Sequence, residues 1–240
     1  MSGFETLIFE VKEEIAYITL NRPQVLNSHN VQMRDDMFEV FGAIRDDEDI
    51  RVVILKGAGE KAFCAGADLT EFLTAPPPTA AREVRLEKDL WKLMLGVPQP
   101  LIAALHGYVL GSGIEMALCC DVRIASEDAK FGLPEMGLGM IPAAGGTQTV
   151  PRLAGIGAAL DMILTNKWID AVSALKTRMV DRVVPRDKLY SETDKLAKKI
   201  VVKNKRAIIN AKKAVVRGMD LSLTEGLDLE KRLAASHNIY

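Results

Sequence analysis

Leu7-Ile8-Phe9-Glu10-Val11 and the stretch Glu14 to Leu20 alternate apolar and polar side chains, the period of a half-buried strand. The polar Lys12-Glu13-Glu14 between them predicts a tight turn, so a hairpin opens the fold. Asn30 then offers its side chain as cap to a helix running to about Asp46. Val31, Met37, Phe38, Phe41 and Ile44 fall near helical spacing within it. The β-branched run RVVILKG, residues 51–57, follows as a strand and completes a β-β-α unit feeding another strand.

The same alternation returns, without the self-similarity of a true repeat. A glycine-rich loop at 57–68 leads to a short helix, the Pro76-Pro77-Pro78 loop and an amphipathic helix ending near Gly96. The strand PLIAALHG, residues 100–107, precedes GSGIEMALCC, residues 111–120, which reads as a buried helix; DVRIASEDAKFGLPE, residues 121–135, supplies two more short strands. Beyond Pro185 the pattern is helical only, near 187–202, 204–217 and 222–236. The expected organisation is an α/β core over residues 1–185 and a helical region over 186–240.

A chain of 240 residues with 48% hydrophobic content suffices for one large domain, or a domain with an appendage. The formal net charge of -1 gives no global attraction to nucleic acid or anionic membrane. Charge is uneven, however: from Lys195 to Arg217 there are nine basic residues and no acidic one. That run reads as a solvated or subunit-contacting face, or as a phosphate contact. The segment Leu101–Cys120 has the length of a membrane span but carries His106, Ser112 and Glu115. An acidic group at a helix centre costs roughly 2.5–3.5 kcal/mol on insertion, so no membrane association is expected. The N-terminus has no basic region followed by an apolar one, and the three cysteines form no CxxC pair. Both point to a reducing, cytoplasmic setting.

Three features bear chemistry. In AFCAGADL, residues 62–69, small residues let backbone approach a ligand, and a turn entering a helix leaves N–H groups free for an anion or a developing oxyanion. LGSGIE, residues 110–115, repeats that arrangement and adds Glu115, whose burial among apolar residues demands a partner or a protonation change. FGLPEMGLGMIPAAGGTQ, residues 131–148, places Glu135 after a strand-breaking proline in a nearly uncharged stretch. Together they describe two carboxylates and two donor turns, an acid/base pair beside an oxyanion hole. The histidines lack metal-ligand spacing, and His106 reads as structural. No Walker A, GxGxxG or GxSxG motif is present.

With these residues in view, the sequence resembles the enoyl-CoA hydratase/isomerase, or crotonase, superfamily. LNRPQVLNS resembles that family's LNRPxxxNA motif; KAFCAGADL its first oxyanion and CoA-contacting motif; IAALHGYVLGSGIEMALCCDVRIAS and FGLPEMGLGMIPAAGGTQTVPRLAG its second oxyanion and catalytic segments. The resemblance covers about residues 7–236. It implies an α/β, crotonase-like superhelix of repeated β-β-α units with a C-terminal helical oligomerisation region, assembled as trimers or as hexamers of two trimers.

By position, the resemblance implies that the N–H groups of Ala65 and Ser112 cradle a thioester oxygen. Ser112 stands where relatives usually have glycine. Gly66, Ala67, Asp68 and Leu69 would join them in lining the substrate path, and Glu115 and Glu135 would hold the attacking water. The implied activity is hydration of a 2-enoyl-CoA thioester, with no metal and no cofactor beyond the CoA of the substrate. The pair of glutamates favours a hydratase over a Δ3,Δ2-enoyl-CoA isomerase, which can work with one. Some RNA-binding relatives carry a lysine-rich first helix; here residues 30–50 hold two basic and seven acidic residues, so no nucleic-acid partner is expected. Two departures stand out. Arg178 replaces a glycine usual in relatives, and the sequence stops at SHNIY where many relatives continue through a helix bearing an FxEKRxP-type segment.

Overall fold

In the computed structural model, which describes residues 3–74 and 88–236, the opening hairpin forms as the alternation requires. β1 (Leu7–Lys12) and β2 (Ile15–Leu20) pair antiparallel, with Leu7 opposite Leu20 and Lys12 opposite Ile15. Glu13 and Glu14 both take positive φ, 52° and 63°, the combination a two-residue turn needs to match the strands' twist. α1 (Val31–Asp46) is capped by Asn30, whose side chain accepts from the Met33 N–H at 2.9 Å. Its buried face is Met33, Met37, Val40, Phe41 and Ile44; Val31 lies on the exposed side. The face is thus rotated slightly from the one the spacing suggested.

The next six strands are dealt alternately to two sheets, and each sheet then gains one more strand. β3 (Val52–Gly57), β5 (Leu101–Leu105), β7 (Val122–Ser126) and β10 (Arg182–Val184) extend the hairpin in parallel, in the order β1-β2-β3-β5-β7-β10. β4 (Ala62–Cys64), β6 (Tyr108–Leu110), β8 (Lys130–Gly132) and β9 (Ile169–Asp170) form the second sheet, in which only the β8–β9 pair is antiparallel. The two strands expected in residues 121–135 therefore belong to different sheets. Covered on both faces, such strands lose the alternation that would have told them apart. Phe41, Phe63 and Phe131, at 2% exposure or less, fill the main core, each contributing about 1.5–3 kcal/mol by burial.

Among the described residues the remaining α-helices are α2 (Leu90–Gly96), α3 (Ser112–Leu118), α4 (Gly146–Ala154), α5 (Ile156–Thr165), α6 (Ala171–Lys176), α7 (Leu189–Val201), α8 (Lys205–Gly218) and α9 (Leu223–Ala235). α7 lies on the first sheet: Leu189 and Ala197 are buried with Ile54 and Ile102, and Ile200 and Val201 pack beside them. The body thus extends beyond residue 185. α8 and α9 contain no buried residue. Cations hold α8 to the body. Lys212 Nζ lies 2.7 Å from Asp121 Oδ2 and donates to the Gln99 carbonyl at 2.9 Å, and Lys205 donates to the Glu48 carbonyl. Part of the basic run is therefore a polar seam within the chain. The Pro76-Pro77-Pro78 loop and the end of the chain after Ser236 lie outside the described residues.

Arg178 occupies the left-handed position that closes α6, with φ 62°. Arg178 N–H donates to the Leu175 carbonyl and Met179 N–H to that of Ala174. A glycine is favoured there because a Cβ makes this conformation unfavourable.

Candidate active site

Gly111 caps the start of α3, with a backbone (φ 49°, ψ -122°) that residues with a side chain avoid. A Cβ at this position would stand 2.7 Å from Glu135 Oε1 and 3.5 Å from Gly66 Cα; a Cβ on Gly66 would stand 3.3 Å from the Leu110 carbonyl oxygen. The absence of both side chains lets the 65–68 turn, the start of α3 and the Glu135 carboxyl converge. Ser112 is the first residue of α3, so its N–H has no acceptor within the helix.

The first turn corrects one expectation. The Ala65 N–H donates to the Leu26 carbonyl at 3.0 Å, so it is not free to receive a substrate oxygen. Two residues on, Ala67 forms a parallel bridge with His29 in which His29 N–H donates to the Gly66 carbonyl at 2.8 Å and Asp68 N–H to the His29 carbonyl at 2.9 Å. In this pattern the flanking residues make the bonds and Ala67's own N–H points away from His29. The amide these bonds leave over is that of Ala67, not that of Ala65. The motif placed the turn correctly, but a run of small residues does not say which amide the partner strand consumes.

Asp68 is also committed. Its Oδ1 accepts from the Thr70 N–H and hydroxyl at 3.2 and 2.7 Å, and its Oδ2 lies 2.9 Å from Arg22 Nη1. These bonds, Thr70 foremost and Arg22 with it, hold its carboxyl below the usual carboxylate range. Gly66 is buried in the turn, and Leu69 opens the short helical turn beyond, largely exposed.

Glu115, 2% exposed, has the partners its burial demands. Its Oε1 accepts from the Ala144 N–H at 2.9 Å and the Gly146 N–H at 2.8 Å. Gly146 is the first residue of α4, so the carboxylate sits at a helix N-terminus, where free amides and the helix dipole favour negative charge. Glu135, on the helical turn Pro134–Leu138 directly after β8, is placed differently. It is half-buried, and its Oε2 is shielded from solvent without a hydrogen-bond partner. Burial raises its pKa above the ordinary carboxyl value, and the charge of Glu115 pushes the same way. One carboxyl is thus held as an acceptor while its neighbour is biased toward keeping a proton.

The structure brings Glu135, Gly66 and the start of α3 close together and sets Glu115 near Glu135, while the sequence did not point to Ala144 and Gly146 as partners of Glu115, nor to Arg22 and His29 beside the first turn. The small-residue run Ala143–Gly146 was the available signal, because close approach of backbone to a carboxylate needs it. His106 is buried with its Nε2 3.0 Å from the Gly59 carbonyl and its Nδ1 unpartnered, and burial pushes its pKa down to about 4. The three cysteines are free and buried. Among the described residues no cluster of His, Cys, Asp and Glu could hold a metal ion, and no helix is long and apolar enough to cross a membrane.

A sequence profile described as enoyl-CoA hydratase/isomerase matches residues 10–238. A crotonyl-CoA hydratase from Syntrophomonas wolfei is 36% identical over 95% of this chain and 88% of its own length. An (E)-benzylidenesuccinyl-CoA hydratase from Thauera aromatica is 38% identical over 91% of this chain and 85% of its own. The crystal structure of an enoyl-CoA hydratase from Bacillus anthracis superposes with a TM-score of 0.91 at 37% identity, covering 96% of this chain and 90% of that one.

Proposed function

The chain belongs to the enoyl-CoA hydratase/isomerase family, and from that premise we infer that it is an enoyl-CoA hydratase. It adds water reversibly to the double bond of a 2-enoyl-CoA thioester and yields a 3-hydroxyacyl-CoA. The observation that supports this reading best is the opposed surroundings of Glu115 and Glu135 beside two glycine turns.

In the mechanism we propose, the substrate's thioester oxygen lies between the N–H groups of Ala67 and Ser112. As water attacks C3, negative charge moves onto that oxygen. Each preorganised donor is worth about 2.7–4 kcal/mol in such a role. Glu115 takes the proton of the attacking water, its orientation fixed by Ala144 and Gly146, while protonated Glu135 delivers a proton to C2. In the reverse direction the two exchange duties. Addition of water leaves the overall oxidation state unchanged, so an acid, a base and two donors suffice, and no cofactor beyond the substrate's CoA is proposed. A recess of about 280 Å³ lies between Pro23–Asn27 and Ala58–Ala62, segments that lead into the first turn, and is proposed to take part of the CoA arm.

Assembly into trimers, singly or doubled, is proposed with the C-terminal helices at the contacts. Val215, Met219 and Leu223 are 67%, 82% and 80% exposed on α8, the turn after it and the start of α9, an apolar surface that needs cover. Light scattering at micromolar concentration should find an oligomer; a monodisperse monomer would refute the assembly. A reducing, cytoplasmic setting is proposed on the three buried thiols. The activity is tested by incubating the protein with crotonyl-, methylglutaconyl-, cyclohexenyl- and longer enoyl-CoAs and following the mass of one water gained or lost. Gain on at least one of them is expected, and inertness toward all would overturn the reading.

A further inference from the structure

The LNRPQVLNS motif, residues 20–28, contributes no group to the proposed chemistry. Its arginine nevertheless meets the site. Arg22 is tied into its own segment by its N–H, which donates to Asn27 Oδ1 at 2.9 Å, and its Nη1 donates to the Ser28 carbonyl at 2.6 Å while lying 2.9 Å from Asp68 Oδ2. The segment is itself fixed to the sheet. Asn27 is fully buried and donates to the carbonyls of Ala58 and Ala62, both at 2.9 Å. Leu26 and Asn27 take positive φ, 56° and 55°, which turns the Leu26 carbonyl to receive the Ala65 N–H.

The turn that presents Ala67 is thus held at every residue around it: Ala65 by Leu26, Gly66 and the Asp68 backbone by His29, and the Asp68 carboxylate by Arg22. Side-chain exposures of 17% for Arg22 and 13% for Asp68 place the pair away from bulk water, where a charge-assisted bond holds geometry better than on an open surface.

We propose that Arg22 and Asp68 are positioning residues for the oxyanion hole: their ion pair fixes the direction of the Ala67 N–H toward the substrate's thioester oxygen, and Asp68 does not bind CoA. The proposal rests on the hydratase reading above. Asp68 acts through Ala67, and Arg22 acts through Asp68. Losing either lets the turn relax around its backbone tethers, so the donor remains but is misaimed.

The test combines kinetics with the carbonyl stretch of a bound enoyl-CoA, read by isotope-edited difference infrared spectroscopy on the full-length protein. A well-aimed donor lowers that frequency. Asp68→Asn and Arg22→Met should each lower kcat about 10–100-fold, as expected of a misplaced catalytic group. KM should stay within about threefold, and the carbonyl stretch should move back toward its value in water. The double variant should be no worse than the worse single, because the pair acts as one unit. Should Arg22→Met fail to fold, Arg22→Lys keeps the charge without the planar fork and should show a smaller shift of the same sign. A raised KM with unchanged kcat and carbonyl stretch would make Asp68 a CoA contact and overturn the proposal. A fall in kcat with an unmoved stretch would also overturn it. The wild-type protein separates the two readings: if it lowers the carbonyl frequency yet hydrates nothing, the hydratase reading fails while the spectroscopic test of the pair still stands.

Discussion

Glu115 and Glu135 lie on neighbouring elements, one in the first turn of α3 and the other just after β8, yet their surroundings are opposite. Glu115 is almost fully buried and satisfied by two backbone donors at the start of α4. Glu135 is half-buried, with an oxygen shielded from water and unpartnered. The first arrangement orients a carboxylate and also links α3 to α4. The second raises the carboxyl's pKa by burial and leaves one of its oxygens, Oε2, unpaired. The difference shows how two identical side chains acquire different surroundings: amides of another segment hold the first, while the second is desolvated with one oxygen left unpaired.

The largest expected effects come from removing the carboxyl chemistry while keeping the shape. Glu115→Gln and Glu135→Gln should each reduce hydration about 10²–10⁴-fold, with the double variant little worse than the worse single. Binding of the CoA thioester, followed by thermal shift, should persist in all three. Near-native hydration by folded Glu115→Gln would reduce that residue to a structural cap.

A sharper contrast is expected in stability when the side chains are truncated. Glu115→Ala strands the Ala144 and Gly146 N–H groups and should lower stability by about 1–3 kcal/mol in denaturant titrations. Glu135→Ala strands no amide of another segment and removes the buried, unpaired Oε2, so it should cost less. Equal losses would erase the distinction between the two sites.

Smaller still is the expected dependence on pH. Because the pKa of Glu135 is raised on folding, the native state binds more protons than the unfolded chain between the ordinary value of 4.5 and the raised one. Its contribution to stability is therefore present at lower pH and lost as pH rises through that window. Glu135→Gln abolishes this titration. Its Tm relative to wild type should climb as pH increases across the window and then level off, each kcal/mol appearing as roughly 2–4 °C. A difference that stays flat with pH would contradict the raised pKa.

The unequal legibility of the sequence follows the same physics. Alternation and capping gave the hairpin and α1 because the period of a half-exposed element is written in its side chains. It also found β7 and β8 as strands, but their membership of different sheets depends on pairings between distant segments, which no local pattern records. Glu115 and Glu135 were conspicuous as charges in apolar runs. The donor on the first turn was not, since Ala65 and Ala67 have the same side chain and differ only in what their amides face. Arg178 was visible as a departure, and its left-handed backbone shows why glycine suits that corner.

The division of labour between the two glutamates is tested most directly by exchange at C2 without hydration. A saturated acyl-CoA such as butyryl-CoA has no double bond to hydrate, but its C2 proton can be removed while Ala67 and Ser112 hold the enolate oxygen, and a deuteron can return from heavy water. Followed by proton NMR, wild type and Glu115→Gln should both exchange that proton, and Glu135→Gln should not. Exchange lost with Glu115 and retained without Glu135 would contradict the assignment of acid and base made here.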